Sequence, residues 1–548
     1  MSFVQVIPLG GADEIGKNCN VVRQGDDIVV VDCGLSFPSE EMLGVDIVIP
    51  DFRYLLANRD KVRGVFITHA HEDHVGGLPY LLRELQVPVY CSPLAAALLR
   101  PKLEERVGAK AFDLRIFNPG DIIEAGSLSV EPIRITHSIP ETCAMAVRTA
   151  QGIVLFTADF KFDFTPVDGK MANITRLGEL GREGVIALVS DCTNAEETGW
   201  SLSESVVKNG LRNAFANAQG RVLLTTFASN IHRMQQTIDV AAEMGRKVAI
   251  AGRRMEQTIE ICAKMGYLKL PPGVMIALRD STQYPAHQLA ILTTGTQGEP
   301  LSALVQMSKG EYSRLQIQKG DTVLYSARPI PGNEASIWRT VNRLFRQGAT
   351  VLYQTPQPIH VSGHAHQEEL KMMINLTRPF YLMPVHGEPR HQHQYRRMAL
   401  EMGHAEHRIF EMRDGVPVCM DERSAWLGEP VEFGRVLVDR GGEPGISDDV
   451  LRDRSNLSND GFVAVTVVVD VDTGELVGPP TFQHRGIHAK PEAIAGLSEF
   501  IADGLSTFSR DDLKDVDRVR FDVADLAKRH LHKKAGIRPV IVPIVVEV

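Results

Sequence analysis

The hydrophobic pattern of the first three quarters of the chain is a series of short, continuous apolar runs. They fall at 28–34 (IVVVDCG), 64–70 (GVFITHA), 153–160 (IVLFTADF), 185–191 (VIALVSD), 222–230 (VLLTTFASN), 247–252 (KVAIAG), 322–327 (TVLYSA), 349–353 (ATVLY) and 381–387 (YLMPVHG). Runs of this length, rich in Val, Ile and Leu without polar alternation, predict strands buried on both faces. Amphipathic stretches with helical spacing lie between some of them, such as 335–348 (ASIWRTVNRLFRQG) and 368–376 (EELKMMINL). The alternation predicts an α/β architecture. In several runs a polar or ligand-type residue directly follows the apolar stretch: Asp32, His69, Asp159, Asp191, Ser229 and His386. Sites in α/β sheets lie at the carboxyl ends of strands, so one cleft could gather many of these residues.

The carboxyl end reads differently. After a Gly, Asp and Pro-rich connector at 439–449 comes a hairpin pattern at 462–478 (FVAVTVVVDVDTGELVG), a helical pattern at 513–534 and a last strand pattern at 539–548, together a small α/β unit.

Composition narrows the class without choosing it. With 548 residues, 44% hydrophobic and 23% charged, the chain is long enough for two to four soluble domains. It has no apolar run near the ~18 residues of a membrane span. The amino terminus lacks the pattern of a secretory signal, so a cytoplasmic protein with no membrane contact is expected. Seven scattered cysteines (Cys19, Cys33, Cys91, Cys143, Cys192, Cys262 and Cys419), without a CxxC pair, argue against a disulfide framework or a thiolate zinc site. A formal charge of −9 disfavours nonspecific attraction to nucleic acid. It does not exclude a nucleic-acid enzyme, whose groove depends on local charge and bound metal.

The candidate chemistry is concentrated at 68–77 (THAHEDHVGG), where His69, His71, Asp73 and His74 crowd into six positions. Imidazole and carboxylate ligands suit Zn, Mn or Fe, and this density just after a strand points to metal rather than to satisfied core histidines. Further ligands are expected downstream at His137, Asp159 and His386, each just past an apolar run.

HxHxDH with a later His, Asp and His resembles the metallo-β-lactamase superfamily, an αββα sandwich whose strand-end loops hold two metals. The resemblance implies that His69, His71 and His137 hold one ion and Asp73, His74 and His386 the other, with Asp159 bridging. That fold also serves thioester and lactam hydrolysis, so ligands alone do not choose a substrate. The 227 positions from Asp159 to His386 call for an inserted domain. Within that interval 190–194 (SDCTN), 225–233 (TTFASNIHR), 295–300 (GTQGEP), 329–334 (PIPGNE) and 360–366 (HVSGHAH) are similar to the β-CASP nucleases, and more closely to the ribonuclease J family. With 7–18 (IPLGGADEIGKN) and 538–548 (RPVIVPIVVEV), the likeness spans essentially the whole chain.

The implied division is a core at 1–200 and 351–440, an inserted domain with a parallel sheet flanked by helices at 201–350, a linker at 441–460 and an α/β domain at 461–548. The family further implies two divalent cations per subunit, Zn or Mn, and single-stranded RNA as substrate. It implies 5′-to-3′ exonuclease action from 5′-monophosphate ends with internal cleavage, in mRNA decay and rRNA maturation. A homodimer or tetramer and partners in RNA degradation are expected on the same ground. Ser229, Asn230 and Ile231, with His360, Val361, Ser362, Gly363 and His364, would contact substrate phosphates. His364, with Asp191 behind it, would donate the proton to the departing 3′ oxygen, beside Asp73 in the catalytic set. An additional structural cation would match Gly44, Asp46 and Asp439. Read on their own, Ser229 and Asn230 open a helix and suit either a phosphate or a plain N-cap.

Some segments read otherwise. Residues 11–18 (GADEIGKN) fit a nucleotide-binding GxxxxGK, but Asn18 stands where Ser or Thr would bind Mg²⁺, and Asp13 and Glu14 oppose phosphate, so a turn is expected. Arg253 and Arg254 could hold RNA, while the basic 528–534 run reads as a solvated helix face. Ala70, Ala158 and Asp13 stand where the family often has Gly, and Arg328 where a small residue is common. The rival functions are a same-fold endonuclease acting on RNA 3′ ends or DNA, a metal-free RNA-binding scaffold, and a small-ester or thioester hydrolase.

Overall fold

The computed structural model describes residues 3–39, 41–330 and 332–548, the side chains of Glu492 and Ala493 excepted; Pro331 of the 329–334 segment lies outside them. All the apolar runs form strands: Asp27–Val31, Val62–Phe66, Gly152–Phe156, Val185–Asp191, Val222–Thr225, Lys247–Ala251, Thr322–Tyr325, Thr350–Leu352 and Tyr381–Val385. The chain divides into two compact units, 1–37 with 48–436, and 38–47 with 437–548.

The first unit contains two mixed sheets. One has eight strands and includes Val4–Gly10, Cys19–Gln24, Asp27–Val31 and Val62–Phe66; the other has six and includes Tyr381–Val385, Val185–Asp191 and Gly152–Phe156 as neighbours. Because side chains alternate along a strand, Val29, Val31 and Phe66 from one sheet meet Val154, Phe156, Ala187, Val189, Met383 and Val385 from the other in a single buried cluster. The intervening residues Leu155, Leu188 and Leu382 point the other way. They pack with Leu177, Leu180, Leu370, Met373, Tyr395 and Met398 from the helices Ile174–Glu183, Gln367–Thr377 and Pro389–Glu401. Both faces of the strands are covered, so the runs are continuous rather than alternating, and each fully buried side chain contributes roughly 1.5–3 kcal/mol.

Between Val185–Asp191 and Tyr381–Val385 the chain makes a five-stranded, all-parallel sheet, ordered Lys247–Ala251, Leu289–Thr293, Val222–Thr225, Thr322–Tyr325, Thr350–Leu352. Val222 and Leu224 face one apolar cluster and Leu223 the other, so this sheet too is clothed on both sides. Its loops are tied by Arg233, a fully buried residue. The guanidinium donates to both oxygens of Glu204 (2.6 and 2.8 Å), to Ser326 Oγ (2.6 Å) and to the Ile359 carbonyl (3.3 Å).

In the second unit Val463, Val465, Val467 and Val469 of the strand Phe462–Asp470 bury against Leu497, Ile501, Leu505, Val519, Val523 and Leu531. The strand Val540–Glu547 runs parallel beside it. Two features differ from the sequence reading. Residues 441–460, expected to be a linker, include the helix Asp448–Asp460, started by Ser447 capping Val450 N–H at 3.4 Å and by acids in the first turn that suit the helix dipole. Residues 38–47 belong to this unit rather than to the core, with the Leu43 carbonyl accepting from Arg454 Nη1 at 3.0 Å. Among the described residues no helix is long and apolar enough to cross a membrane. All seven cysteines are buried and unbridged.

Replacing Arg233 by Leu strands the buried Glu204 carboxylate and is expected to cost about 3–5 kcal/mol. Thermal unfolding measures it, and the double change Arg233→Leu with Glu204→Leu should recover much of the loss.

Candidate active site

The ligand-type residues emerge at strand ends through backbone turns. Asp32, Ala158 and His386 adopt left-handed conformations with φ of 64°, 55° and 55°. Such a conformation bends the chain sharply at the end of each strand. At Ala158 the conformation suits glycine, so the alanine there carries a strain of about 1–2 kcal/mol. Gly34 matters for a different reason. A Cβ there would lie 1.7 Å from the Asp73 carbonyl oxygen, so only glycine lets the end of the Asp27–Val31 strand abut the turn bearing His71, Asp73 and His74.

Tertiary folding brings His69, His71, His137 and Asp159 together, and Asp73, His74, Asp159 and His386 together, with Asp159 common to both groups. His71 Nδ1 lies 3.0 Å from His69 Nε2 and 3.2 Å from His137 Nε2. Asp159 Oδ2 faces this triad, 3.7 Å from both His69 Nε2 and His137 Nε2. Its other oxygen, Oδ1, faces the second group, 3.2 Å from His74 Nε2 and 3.4 Å from His386 Nδ1. Asp73 Oδ2 closes that group, 3.1 Å from His386 Nε2 and 3.6 Å from His74 Nε2.

Outer groups fix the ring orientations. Asp32 Oδ2 lies 2.8 Å from His74 Nδ1, and the same carboxylate accepts from the Thr68 N–H at 2.8 Å. Thr68 Oγ1 is 3.0 Å from His69 Nδ1, the Gly363 carbonyl is 2.8 Å from His137 Nδ1, and Thr193 Oγ1 is 2.8 Å from His386 Nδ1. The outward nitrogens of His69, His74 and His137 are thereby occupied, and their inward nitrogens converge.

The electrostatics match a metal-holding set. Burial pushes His69 and His137 well below the usual histidine range and His71 down to about 4, so all three present free lone pairs at neutral pH. In the second group burial opposes protonation, but the Asp159, Asp73 and Asp32 carboxylates outweigh it and raise His74. His386 rises to about 10 for the same reason, with Asp159 the largest favourable charge. Burial raises Asp159, yet the surrounding histidines hold it well below the carboxylate range. Neutral imidazoles crowded beside an excess of buried carboxylate fit divalent cations, whose charge would replace those protons.

The loop at 360–364 lies directly over this centre: a Cβ on Gly363 would sit 2.7 Å from His137 Cε1. His364 Nδ1 is 2.8 Å from Asp191 Oδ2, and its ring stacks on His386 at 5.5 Å between centroids. Burial disfavours the charged form of His364, but Asp191 and Asp159 together raise its pKa. Ser362 Oγ accepts from Asn194 Nδ2 at 2.8 Å, and the Ser362 carbonyl accepts from the buried Lys161 ammonium at 3.2 Å. His360 Nδ1 lies 3.2 Å from Arg233 Nη1, while Val361 is buried. Asn230 Oδ1 caps the helix Ile231–Glu243 through the Arg233 N–H at 3.1 Å. The cap is therefore Asn230 rather than Ser229, which is half-buried at the preceding position, with Ile231 buried at the helix start.

Asp32, Thr68, Lys161, Thr193, Asn194, Glu204 and Arg233 were not singled out as site residues. Asp32 shows as a ligand-type residue after a strand, and Thr68, Thr193, Asn194 and Arg233 fall within quoted motifs without a role of their own, while Lys161 and Glu204 carry no signal. Residues 11–18 join the antiparallel strands Val4–Gly10 and Cys19–Gln24, not a strand and a helix, and Lys17 Nζ goes to Glu14 at 2.7 Å, so the expected turn replaces any phosphate loop. Asn18 Nδ2 instead donates to the Asp73 carbonyl at 3.1 Å. Arg253 and Arg254 open the helix Arg253–Lys264, and Arg254 is close enough for its charge to act on Glu72. In the second unit Lys528, Arg529, Lys533 and Lys534 are exposed on their helix, as a solvated face. Asp439 Oδ1 there accepts from the Glu443 N–H at 3.1 Å, and a Cβ on Gly44 would meet Arg454 Nη1 at 2.8 Å. Among the described residues, acidic and imidazole side chains converge only at the centre around Asp159, so Asp46 and Asp439 join no such group.

A two-sheet sandwich with this donor set defines a metallo-hydrolase, and residues 12–185 match the metallo-beta-lactamase superfamily while 354–410 match the Zn-dependent metallo-hydrolase RNA specificity domain. Residues 219–344 match the ribonuclease J beta-CASP domain and 449–548 the ribonuclease J C-terminal domain. The chain is 39% identical to Ribonuclease J2 of Bacillus subtilis (strain 168), covering 100% of this chain and 99% of that one. It is also 39% identical to Ribonuclease J of Thermus thermophilus, over 99% of this chain and 95% of that one. A crystallised protein of unknown function from Enterococcus faecalis V583 superposes with a TM-score of 0.52 at 17% identity, over 71% of this chain and 96% of its own, a likeness of fold alone. The chain belongs to the ribonuclease J family.

Removing the Asp32 carboxylate frees the His74 ring to reorient. Asp32→Ala is expected to weaken divalent-metal binding by about 10–100-fold, read by titration of the metal-stripped protein with Zn²⁺ or Mn²⁺; unchanged affinity would deny the carboxylate any orienting role.

Proposed function

We propose that this metal-dependent ribonuclease takes two divalent cations per subunit, Zn or Mn, and degrades single-stranded RNA 5′ to 3′ from a 5′-monophosphate end, with internal cleavage as a second mode. His69, His71 and His137 would hold one cation, Asp73, His74 and His386 the other, with Asp159 between them. What supports that assignment is the division of Asp159, one oxygen toward each group. Bound there, the cations would lower the pKa of a water and offset charge on the scissile phosphodiester.

The chain's own groups supply the rest. Asp191 orients His364 and favours its charged form, which leaves a proton on the ring for the departing 3′ oxygen. Ser229, Asn230 and Ile231 at the helix start and the 360–364 loop would hold phosphates, including the terminal one. The observation that carries the end preference is the anchoring of that loop, to Arg233 at His360 and to the metal centre at Gly363 and His364. A terminal phosphate seated on so fixed a loop sets how far the first cleavable bond lies from the metals.

In this reading 1–37, 48–200 and 351–436 form the catalytic core, 201–350 the RNA-gripping insertion, and the second unit, 38–47 with 437–548, an assembly domain. We assign mRNA decay and rRNA maturation in the cytoplasm, alongside RNA-degradation partners, from family membership alone, and the structural-cation role of Gly44, Asp46 and Asp439 on the same ground. A homodimer, or a tetramer built from it, is supported by the outer face of Val540–Glu547, where Val542, Ile544 and Val546 are 43%, 43% and 40% exposed.

End-labelled RNA tests the activity. Asp73→Ala or His74→Ala should abolish cleavage while RNA binding stays within a few-fold, and His364→Ala should lower kcat by about 10²–10⁴-fold. Ser362→Ala should damage exonucleolysis more than internal cutting; equal loss in both assays would undo the phosphate-loop assignment. Light scattering checks assembly: Ile544→Lys should shift the protein toward monomer, and an unchanged mass would move the interface elsewhere.

A further inference from the structure

One exposed cation sits beside the phosphate loop without a firm partner. Arg328 follows the strand Thr322–Tyr325 in the inserted lobe. Its backbone is fixed: the Arg328 carbonyl accepts from Gln297 Nε2 at 2.9 Å, and Gln297 Oε1 accepts from the Ile330 N–H at 2.8 Å. Gln297 itself is buried, so the loop has a rigid foot. The guanidinium reaches out to Glu197 Oε1 at 3.3 Å, and both side chains of that pair are more than half exposed. A solvent-exposed ion pair holds its partners weakly, so a stronger anion can displace it.

The place it reaches is the turn behind the phosphate loop. The Glu197 N–H donates to the Asn194 carbonyl at 3.0 Å, and Asn194 Nδ2 holds Ser362 Oγ at 2.8 Å. The charge of Arg328 also acts on His360, which opens that loop, and on His366, two residues past it. The loop already offers hydroxyl, imidazole and backbone groups, but a terminal phosphomonoester carries close to two negative charges at neutral pH. A guanidinium suits that oxygen array better than it suits a single carboxylate oxygen, because it can donate two parallel hydrogen bonds.

We propose that Arg328 is a specificity-determining residue that leaves Glu197 when RNA binds and grips the 5′-terminal monophosphate seated at Ser362 to His364. The inference rests on the proposed end recognition and adds to it the residue that reads the extra charge. Glu197 then acts as the internal competitor, occupying the guanidinium until substrate arrives.

Steady-state cleavage of matched oligoribonucleotides bearing a 5′-monophosphate or a 5′-hydroxyl, with the full-length metal-loaded protein, tests it. Arg328→Ser should raise KM for the 5′-phosphorylated RNA about tenfold with kcat little changed, and leave KM for the 5′-hydroxyl RNA within about twofold. The slope of binding affinity against salt for the phosphorylated RNA should fall by about one. Arg328→Lys should restore only part of the preference, because a point charge lacks the fork. Glu197→Gln should tighten binding of the phosphorylated RNA and do nothing in the Arg328→Ser background. Equal effects of Arg328→Ser on both RNAs, or none on either, overturn the proposal. If the unaltered protein does not distinguish the two RNAs, end recognition itself fails and Arg328 falls with it.

Discussion

The structure turns on one buried carboxylate. Asp159 is 2% exposed and lies between two sets of imidazoles, one oxygen toward each. An isolated carboxylate so placed would take up a proton or destabilise the fold. Here the surrounding histidines hold it ionised, and the outer ring of Asp32, Thr68, Gly363 and Thr193 holds the histidines. The two sandwich sheets of the first unit serve that placement. His69, Asp159 and His386 come from the ends of three strands in two sheets, and the apolar packing between the sheets fixes how far apart those ends lie.

A second polar network carries the inserted lobe to the same point. Arg233 and Glu204 form a buried pair whose charges have little access to water, so their geometry is strongly constrained. From Arg233 the network passes to His360. Lys161, two residues past Asp159, and Asn194, three past Asp191, hold Ser362 by its carbonyl and hydroxyl. The 360–364 loop is therefore set by residues of both the sandwich and the parallel sheet, and neither lobe alone would position it. Burial of so many polar groups is costly unless each is partnered. That requirement makes the loop rigid.

Net charge is a poor guide to such a protein. The formal −9 includes Asp32, Asp73, Asp159 and Asp191, which face histidines in the cleft, and Glu204, which pairs with Arg233. The chemistry within depends on cations that such acids attract.

Much of the architecture was legible from the chain. Continuous apolar runs gave the strands because sheets clothed on both faces leave no polar side to alternate, and the HxHxDH cluster is local enough to declare metal by spacing alone. His137, Asp159 and His386 could be named as candidates by their positions after strands. Their sharing, with Asp159 between two groups, came only from the family resemblance, since local pattern does not show how two sheets stack. Nor does it show the outer ring's roles: Asp32 shows only as a polar residue after a strand, Lys161 and Arg233 have no local mark of what they hold, and their partners lie from 29 to 201 positions away in the chain. The helix at 448–460 and the membership of 38–47 in the second unit were likewise missed, the first because caps in a polar stretch resemble a connector, the second because no periodicity marks a segment held by a distant arginine. Short-range pattern determined the elements and the first ligand cluster. Long-range packing, which alone brings buried polar groups within reach of one another, decided what those ligands share and what holds them.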